Sequence, residues 1–309
     1  MTTRMNATLV LNSRDIIGEG PAWDGAANRF LWTDNAVGVV HEARVDARGS
    51  WSESRRWNLE RLTGAAVPRA KGGLVVVAGT EVLAVSETGE VSAFARIDAD
   101  PKIVRLNDAK CDPQGRLWVG TMAHDFTPDI SALYRIDLDG TVTMMLEGVG
   151  LSNGLDWSPD GATFYYIDSV TAAVDAFDFE GTRGTISRRR QIVRIPASEG
   201  GLDGMTVDRE GCLWLPIFGP GEVRRYRPDG TLLTRVELTA PAVTSCAFGG
   251  TDCGELLMTS ASLRIPDPVL KIIGWSVEMA DNAANAPGAG GVFACRPGAT
   301  GKPATPFAG

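Results

Sequence analysis

The chain has 309 residues, 44% of them hydrophobic and 22% charged, with a formal net charge of -8. This balance excludes a disordered chain and leaves enough apolar material for a large core, while the acidic surplus argues against a nucleic-acid partner, which usually meets a basic face. Cys111, Cys212, Cys246, Cys253 and Cys295 are scattered without CxxC spacing, which fits reduced thiols rather than a disulfide framework or a thiolate zinc site.

From the N-terminus, MTTRMNATLVLNSR lacks the apolar core of a signal peptide, and no apolar run approaches the ~20 residues of a membrane span. Cytoplasmic residence without a membrane partner is the expectation. Beyond it, helical periodicity is almost absent. Short β-rich runs recur at 30–32, 74–77, 117–119, 164–167, 213–215 and 256–258, separated by Gly, Pro, Asp and Asn. Aligned on the stretch RLNDAKCDPQGRLWVGTM (105–122), they give six repeats: GPAWDGAANRFLW, AAVPRAKGGLVVV, NDAKCDPQGRLWV, NGLDWSPDGATFYYI, DGMTVDREGCLWL and TSCAFGGTDCGELLM. Their starts are roughly forty to fifty residues apart, the period of a four-stranded propeller blade. The predicted fold is all-β: one six-bladed β-propeller over 1–309, with four-stranded blades and the first strand of each lining a central channel. A strand at 7–11 precedes the first repeat and is placed to complete the last blade and seal the ring.

Two stretches stand out from the repeat. The basic run Arg188-Arg189-Arg190 reads as a solvated strand edge kept from pairing by charge. Residues 262–290 form an insertion in the last blade. Its apolar part, 269–277, reads as a short helix or strand packed on the propeller, with a lid over one channel mouth as the functional alternative. The remainder, MADNAANAPGAGG, reads as a loop.

The position five residues before each turn is occupied in turn by Glu19, Gly64, Asn107, Asn153, Asp203 and Thr244. Equivalent positions in a propeller sit at one height, so Glu19, Asn107, Asn153 and Asp203 converge on the channel. Asn and Asp often simply begin strands, but adjacent carboxylates repel unless something positive lies between them. A divalent cation answers that, and oxygen ligands suit Ca²⁺, Mg²⁺ or Mn²⁺ better than a thiolate zinc site would; ligand type alone does not choose the ion, and Zn²⁺ stays open. His41 and His124 are the only histidines, which excludes a histidine-rich metal site. His41 falls in a strand away from the rim and reads as structural; His124, at a strand end, is a candidate for the mouth. No GxGxxG or Walker sequence supports nucleotide binding.

The motifs GEGPAW (18–23), RLNDAKCDPQGRLWVGTM (105–122), GLSNGLDWSPDG (150–161), FYYIDS (164–169), LDGMTVDREGCLW (202–214), TSCAFGG (244–250) and the closing AGGVFACRPG and FAG resemble those of the SMP-30/gluconolactonase/luciferin-regenerating-enzyme family. The resemblance runs almost end to end. It implies a six-bladed propeller with one divalent metal in the channel, held by Glu19, Asn153 and Asp203, with Arg105 and Asn107 binding substrate. Asp125 falls where the family often has a substrate-side Glu, although His124-Asp125 stands where many members carry an acidic pair. TSASLR (259–264) also departs from the usual pattern. The implied chemistry is metal-dependent opening of a lactone such as glucono-1,5-lactone, with Asp203 also a candidate acceptor for the proton of the attacking water. Three further readings stay open: an esterase or phosphotriesterase, a natural-product tailoring enzyme on the same site, and a calcium-binding regulatory protein without catalysis. Oligomeric state is not legible.

Overall fold

The turn that defines the repeat is built by one aspartate doing two jobs. In DPQGRLW, Asp112 Oδ1 accepts the backbone N–H groups of Gln114 (2.9 Å) and Arg116 (3.1 Å), while Oδ2 accepts the Trp118 indole N–H at 3.1 Å. DREGCLW repeats this: Asp208 caps Glu210 and Cys212 and accepts the Trp214 indole at 2.9 Å. Gly115 and Gly211 take φ of 80° and 81°, the left-handed turn position where a side chain would be strained. The motif thus ties a turn to the strand that follows it, and buries the tryptophan between blades.

The computed structural model describes residues 2–264, 267, 270, 271 and 275–309. Its strands form six sheets, the blades of a six-bladed β-propeller. Blade 1 runs outward as Gly18–Asp24, Arg29–Asp34, Val39–Val45 and Trp51–Asn58; blade 3 as Val104–Cys111, Leu117–Ala123, Ser131–Ile136 and Val142–Val149. Blades 2 and 4 follow the same order, with Thr63–Pro68 and Ser152–Trp157 innermost. In blade 5 the inner strand is broken into Gly201–Leu202 and Thr206–Val207, both paired with Leu213–Phe218. Apolar side chains from facing sheets fill the space between blades, with Trp23, Trp32, Trp118, Trp157 and Trp214 among the largest fully buried.

Every inner strand carries one residue more than the strand beside it, and always near its start. The pairing jumps between Glu19 and Ala22, Thr63 and Ala65, Leu106 and Ala109, Ser152 and Leu155, Leu202 and Thr206, and Val243 and Ser245. A bulge of this kind twists the strand and re-aims a side chain. Here it turns one position per blade into the channel. The inner strands also touch at this level: a Cβ on Gly64 would lie 2.0 Å from the Asn107 carbonyl oxygen, so blade 2 contributes backbone and no side chain.

Both termini close the ring. Thr8–Leu11 pairs antiparallel with Val292–Cys295 as the outermost strand of blade 6, as the sequence led us to expect, and Thr3–Asn6 adds a parallel strand to blade 5 beside Leu232–Glu237. One peptide therefore bridges the last two blades. The C-terminal tail crosses the far end of the channel, where Gly301 N–H donates to Cys253 O, Ala304 N–H to Trp23 O and Ala308 N–H to Gly115 O, and Phe307 is fully buried.

The helix Val277–Ala284 starts at Ser276, whose hydroxyl accepts the Met279 N–H at 3.2 Å. It occupies part of the stretch expected to be loop. An N-cap followed by an alanine-rich run outweighs the polar composition there. Within the apolar part of the insertion expected at 269–277, residues 269 and 272–274 lie outside the described residues. Trp275 packs on Phe218 with ring centroids 5.7 Å apart. Arg188, Arg189 and Arg190 lie on the outermost strand of blade 4 and pair with Asp175 and Asp178. No described helix is long and apolar enough to cross a membrane.

His41 is buried beneath the entry to the insertion. It stacks on Trp32 and sits between Glu53 Oε1 (2.9 Å from Nδ1) and Asp15 Oδ1 (3.3 Å from Nε2). Burial alone would depress its pKa, but Asp15 and Glu53 outweigh burial and raise it above the ordinary 6.5. A folded-state pKa above the unfolded one means stabilisation that is full below the unfolded value and lost as pH rises through the folded one. His41→Gln should therefore destabilise by about 1–3 kcal/mol near pH 5.5 and by less near pH 8.5, measured by urea unfolding at both; an equal loss at both pH values would show that His41 is not charged in the fold. Deleting residues 2–11 should lower the melting temperature by about 10 °C or more, since each kcal/mol moves a large domain by roughly 2–4 °C; an unchanged melting temperature would mean that ring closure lies elsewhere.

Candidate active site

The bulged positions meet in one cavity of about 140 Å³ at the end of the channel where the inner strands begin. Glu19, Arg105, Asn107, Asn153, Asp203 and Thr244 all line it. Glu19 comes from blade 1, Arg105 and Asn107 from blade 3, Asn153 from blade 4, and Asp203 from the break in the inner strand of blade 5.

A directed chain of hydrogen bonds orders the polar floor. Arg105 Nη1 donates to Asn107 Oδ1 at 2.9 Å and to Leu106 O at 3.1 Å. Asn107 Nδ2 donates to Ser152 O at 2.8 Å and to Asn153 Oδ1 at 2.9 Å. Asn153 Nδ2 donates to Ser169 Oγ at 2.8 Å, whose hydroxyl donates to Leu202 O at 2.7 Å. The carbonyl acceptors at Ser152 and Leu202 set the sense of the chain, because a carbonyl cannot donate. Asn153 therefore turns its oxygen toward Asn107, with a lone pair left over.

Electrostatically the floor is overloaded with negative charge. Glu19 is pushed well above the usual carboxylate range by burial and then by repulsion from Asp203 and Asp108, against which it receives only the Gly20 N–H at 3.1 Å and the field of Arg105. Asp203 is raised in the same way, by burial and by Asp108. Burial lowers the Arg105 pKa to about 10 although Glu19 and Asp203 oppose this, so the guanidinium stays charged at neutral pH. Among the described residues, no group of three or more His, Cys, Asp or Glu side chains is placed to hold a metal. The donors gathered here are two carboxylates and an amide oxygen, an all-oxygen set of the type hard divalent cations take.

The two remaining ring positions behave differently. Gly64 has no side chain to offer, and Thr244 spends its hydroxyl on Gly18 O (2.5 Å) and Thr259 Oγ1 (2.8 Å), clamping blade 6 to blade 1. Asp125 and His124 are not brought to the cavity: Asp125 is exposed, and its carboxylate accepts the Thr127 N–H at 3.0 Å. Its neighbour Phe126 lines the cavity instead. His124 is exposed, with Nε2 3.1 Å from Pro101 O. Ser169, which holds Asn153, is the functional residue that the repeat does not reveal, because it opens the short 3-10 turn after the second strand of its blade (Thr163–Asp168) rather than starting the first strand; its place closing FYYIDS was the available signal.

Beneath the floor the channel is blocked. Lys110 Nζ lies 3.1 Å from Asp156 Oδ2 and 3.0 Å from Met205 O, while Lys302 of the C-terminal tail lies 3.1 Å from Asp156 Oδ1. Despite its burial, Asp156 is held far below the usual range by these two lysines. Asp108, next to Asn107, faces this lower space, and burial raises its pKa to about 6. The candidate site is reached from one end.

Comparison with known proteins agrees with this architecture. The family model for the SMP-30/Gluconolactonase/LRE-like region matches residues 17–262. The chain is 38% identical to regucalcin of Danio rerio over 257 residues, covering 82% of this chain and 85% of that protein. It is 36% identical to regucalcin of Sus scrofa over 308 residues, covering 97% of each. A solved luciferin-regenerating enzyme superposes with a TM-score of 0.85 at 27% identity, over 98% of this chain and all of the other. With the match spanning the residues that carry the cavity, the chain belongs to the SMP-30/gluconolactonase/LRE-like family.

Proposed function

We propose that this protein is a divalent-metal-dependent lactone hydrolase, with Glu19, Asn153 and Asp203 as the metal ligands and Arg105 with Asn107 as the substrate clamp. The observation that carries this reading is the pairing, in one cavity, of two buried carboxylates that face each other uncompensated with a guanidinium fixed beside them. A family whose description includes gluconolactonases supports the reaction class. When bound, the cation would supply Lewis-acid polarisation of the ester carbonyl and relieve the repulsion between Glu19 and Asp203.

The chain's own residues supply the rest. Arg105 is anchored by one nitrogen, which leaves its other N–H groups free to reach a carbonyl or ring oxygen of the substrate and to stabilise negative charge developing there. Asn107 has both ends committed, so its part in the clamp is to lock Arg105 and Asn153 relative to each other. Among the described residues, Asp203 feels burial and the fields of Asp108 and Arg105 but no hydrogen-bond donor, which leaves a carboxylate oxygen available to take the proton of an attacking water. A site that only stored calcium would need no guanidinium in its wall, and this favours catalysis over the regulatory reading.

Metal-stripped protein should be inactive on aldonolactones and a chromogenic phosphotriester, and regain lactone hydrolysis when Ca²⁺, Mn²⁺, Mg²⁺ or Zn²⁺ is restored singly. No lactone turnover with any ion would sink the proposal, and turnover of the phosphotriester alone would favour the esterase alternative. Asp203→Ala should lose metal binding and reduce kcat/KM by ~100-fold or more. Arg105→Ala should keep the metal and raise KM by ~10-fold or more, and Ser169→Ala should weaken metal affinity by roughly 10–100-fold through Asn153. Calorimetric metal titration of the three variants checks the division of roles; loss of metal from Arg105→Ala would reverse it.

A further inference from the structure

The walls above the polar floor are mostly apolar, with Asn35 the polar exception in the lining. Ile17, Met122, Phe126, Leu151, Phe218 and Leu263 line the cavity between the floor and the mouth. At the position where the family resemblance led us to expect an acidic, hydroxyl-binding side chain, the chain is turned the other way. Asp125 faces solvent and caps its own loop, while Phe126 takes a positive φ of 61°. That conformation is a genuine outlier for a bulky residue and is kept only where the surroundings enforce it. The apolar character continues outward: Ile16, Ile103, Ile130 and Val170, all exposed, lie on the segments that surround this mouth. Behind Phe218 stands Trp275 of the insertion, so that wall is backed rather than free to fold away.

We infer that the substrate is a lactone carrying an apolar alkyl or aryl substituent, rather than a polyhydroxylated sugar lactone. The ester group would meet Arg105 and the carboxylates at the floor, and the substituent would run up the wall formed by Phe126, Met122 and Leu151. A sugar lactone placed there would set its hydroxyls against apolar side chains with few partners, and unpaired buried hydroxyls are costly. This inference rests on the hydrolase reading but is tested apart from it.

Two measurements decide it. First, kcat/KM is compared for glucono-1,5-lactone and a series of δ-lactones with alkyl chains of increasing length. The series should rise by roughly threefold to fourfold per buried methylene and exceed the sugar lactone. Second, non-hydrolysable lactams of both kinds are titrated calorimetrically, so that the choice is read even if no lactone turns over; the alkyl lactam should bind more tightly. Phe126→Asn serves as the variant, because asparagine tolerates positive φ and the backbone is kept. It should narrow the alkyl-to-sugar ratio by about tenfold in either assay. Equal or better handling of the sugar compound in both assays overturns the inference, as does failure of the alkyl lactam to bind. Absent turnover with tighter alkyl-lactam binding supports it while removing the hydrolase reading.

Discussion

The whole site depends on one extra residue in each inner strand. A regular strand alternates its side chains between the two faces of a blade and offers none directly to the axis. Inserting one residue at a constant height breaks the alternation in every blade, and five of the six resulting side chains reach a common cavity. The sixth, Gly64, is glycine because the neighbouring inner strand leaves no room for a Cβ. The geometry that gathers the ligands is also what brings the blades into backbone contact: Gly154 N–H donates to Asp203 O and Gly204 N–H to Thr244 O at this level.

Such convergence has an electrostatic cost that the fold bears elsewhere. Glu19 and Asp203 are buried together with Asp108 below them, and one guanidinium does not neutralise three carboxylates. The remaining structure is stiff enough to hold them in place. Interblade tryptophans anchored to turn aspartates, the N-terminal strands spanning blades 5 and 6, and the tail across the far end all oppose opening of the ring. The Lys110–Asp156–Lys302 group shows the contrasting solution: one carboxylate held between two ammonium groups, its charge more than compensated. That difference separates the lower plug from the site above it.

Much of this was legible in the chain because propeller repeats write the same physics six times. The Asp-turn-Trp spacing of six residues in DPQGRLW and DREGCLW marks the start of a blade, and counting back five residues from the turn finds Glu19, Asn107, Asn153 and Asp203. Register survives from sequence to structure because burial on both faces of an inner strand forbids slippage. The closing strand at Thr8–Leu11 was foreseeable for a similar reason, since a ring must cover its last edge. Residues outside the repeat were less accessible. Ser169 acts on Asn153 across a register shift, and the Ser276-capped helix sits in a stretch whose polar composition pointed to loop.

Sequence by itself determined the propeller, its closure and four side chains of the cavity floor, Glu19, Asn107, Asn153 and Asp203, because each follows from periodic burial and from oxygen-bearing residues at one repeat position. Only the tertiary structure decided what stands above that floor. Asp125 and Phe126 are adjacent, and either could have faced the cavity; a positive φ at Phe126 sends the carboxylate to solvent and the ring inward. No repeat governs that loop, so its conformation is set by local backbone geometry and packing rather than by a pattern that six copies make visible.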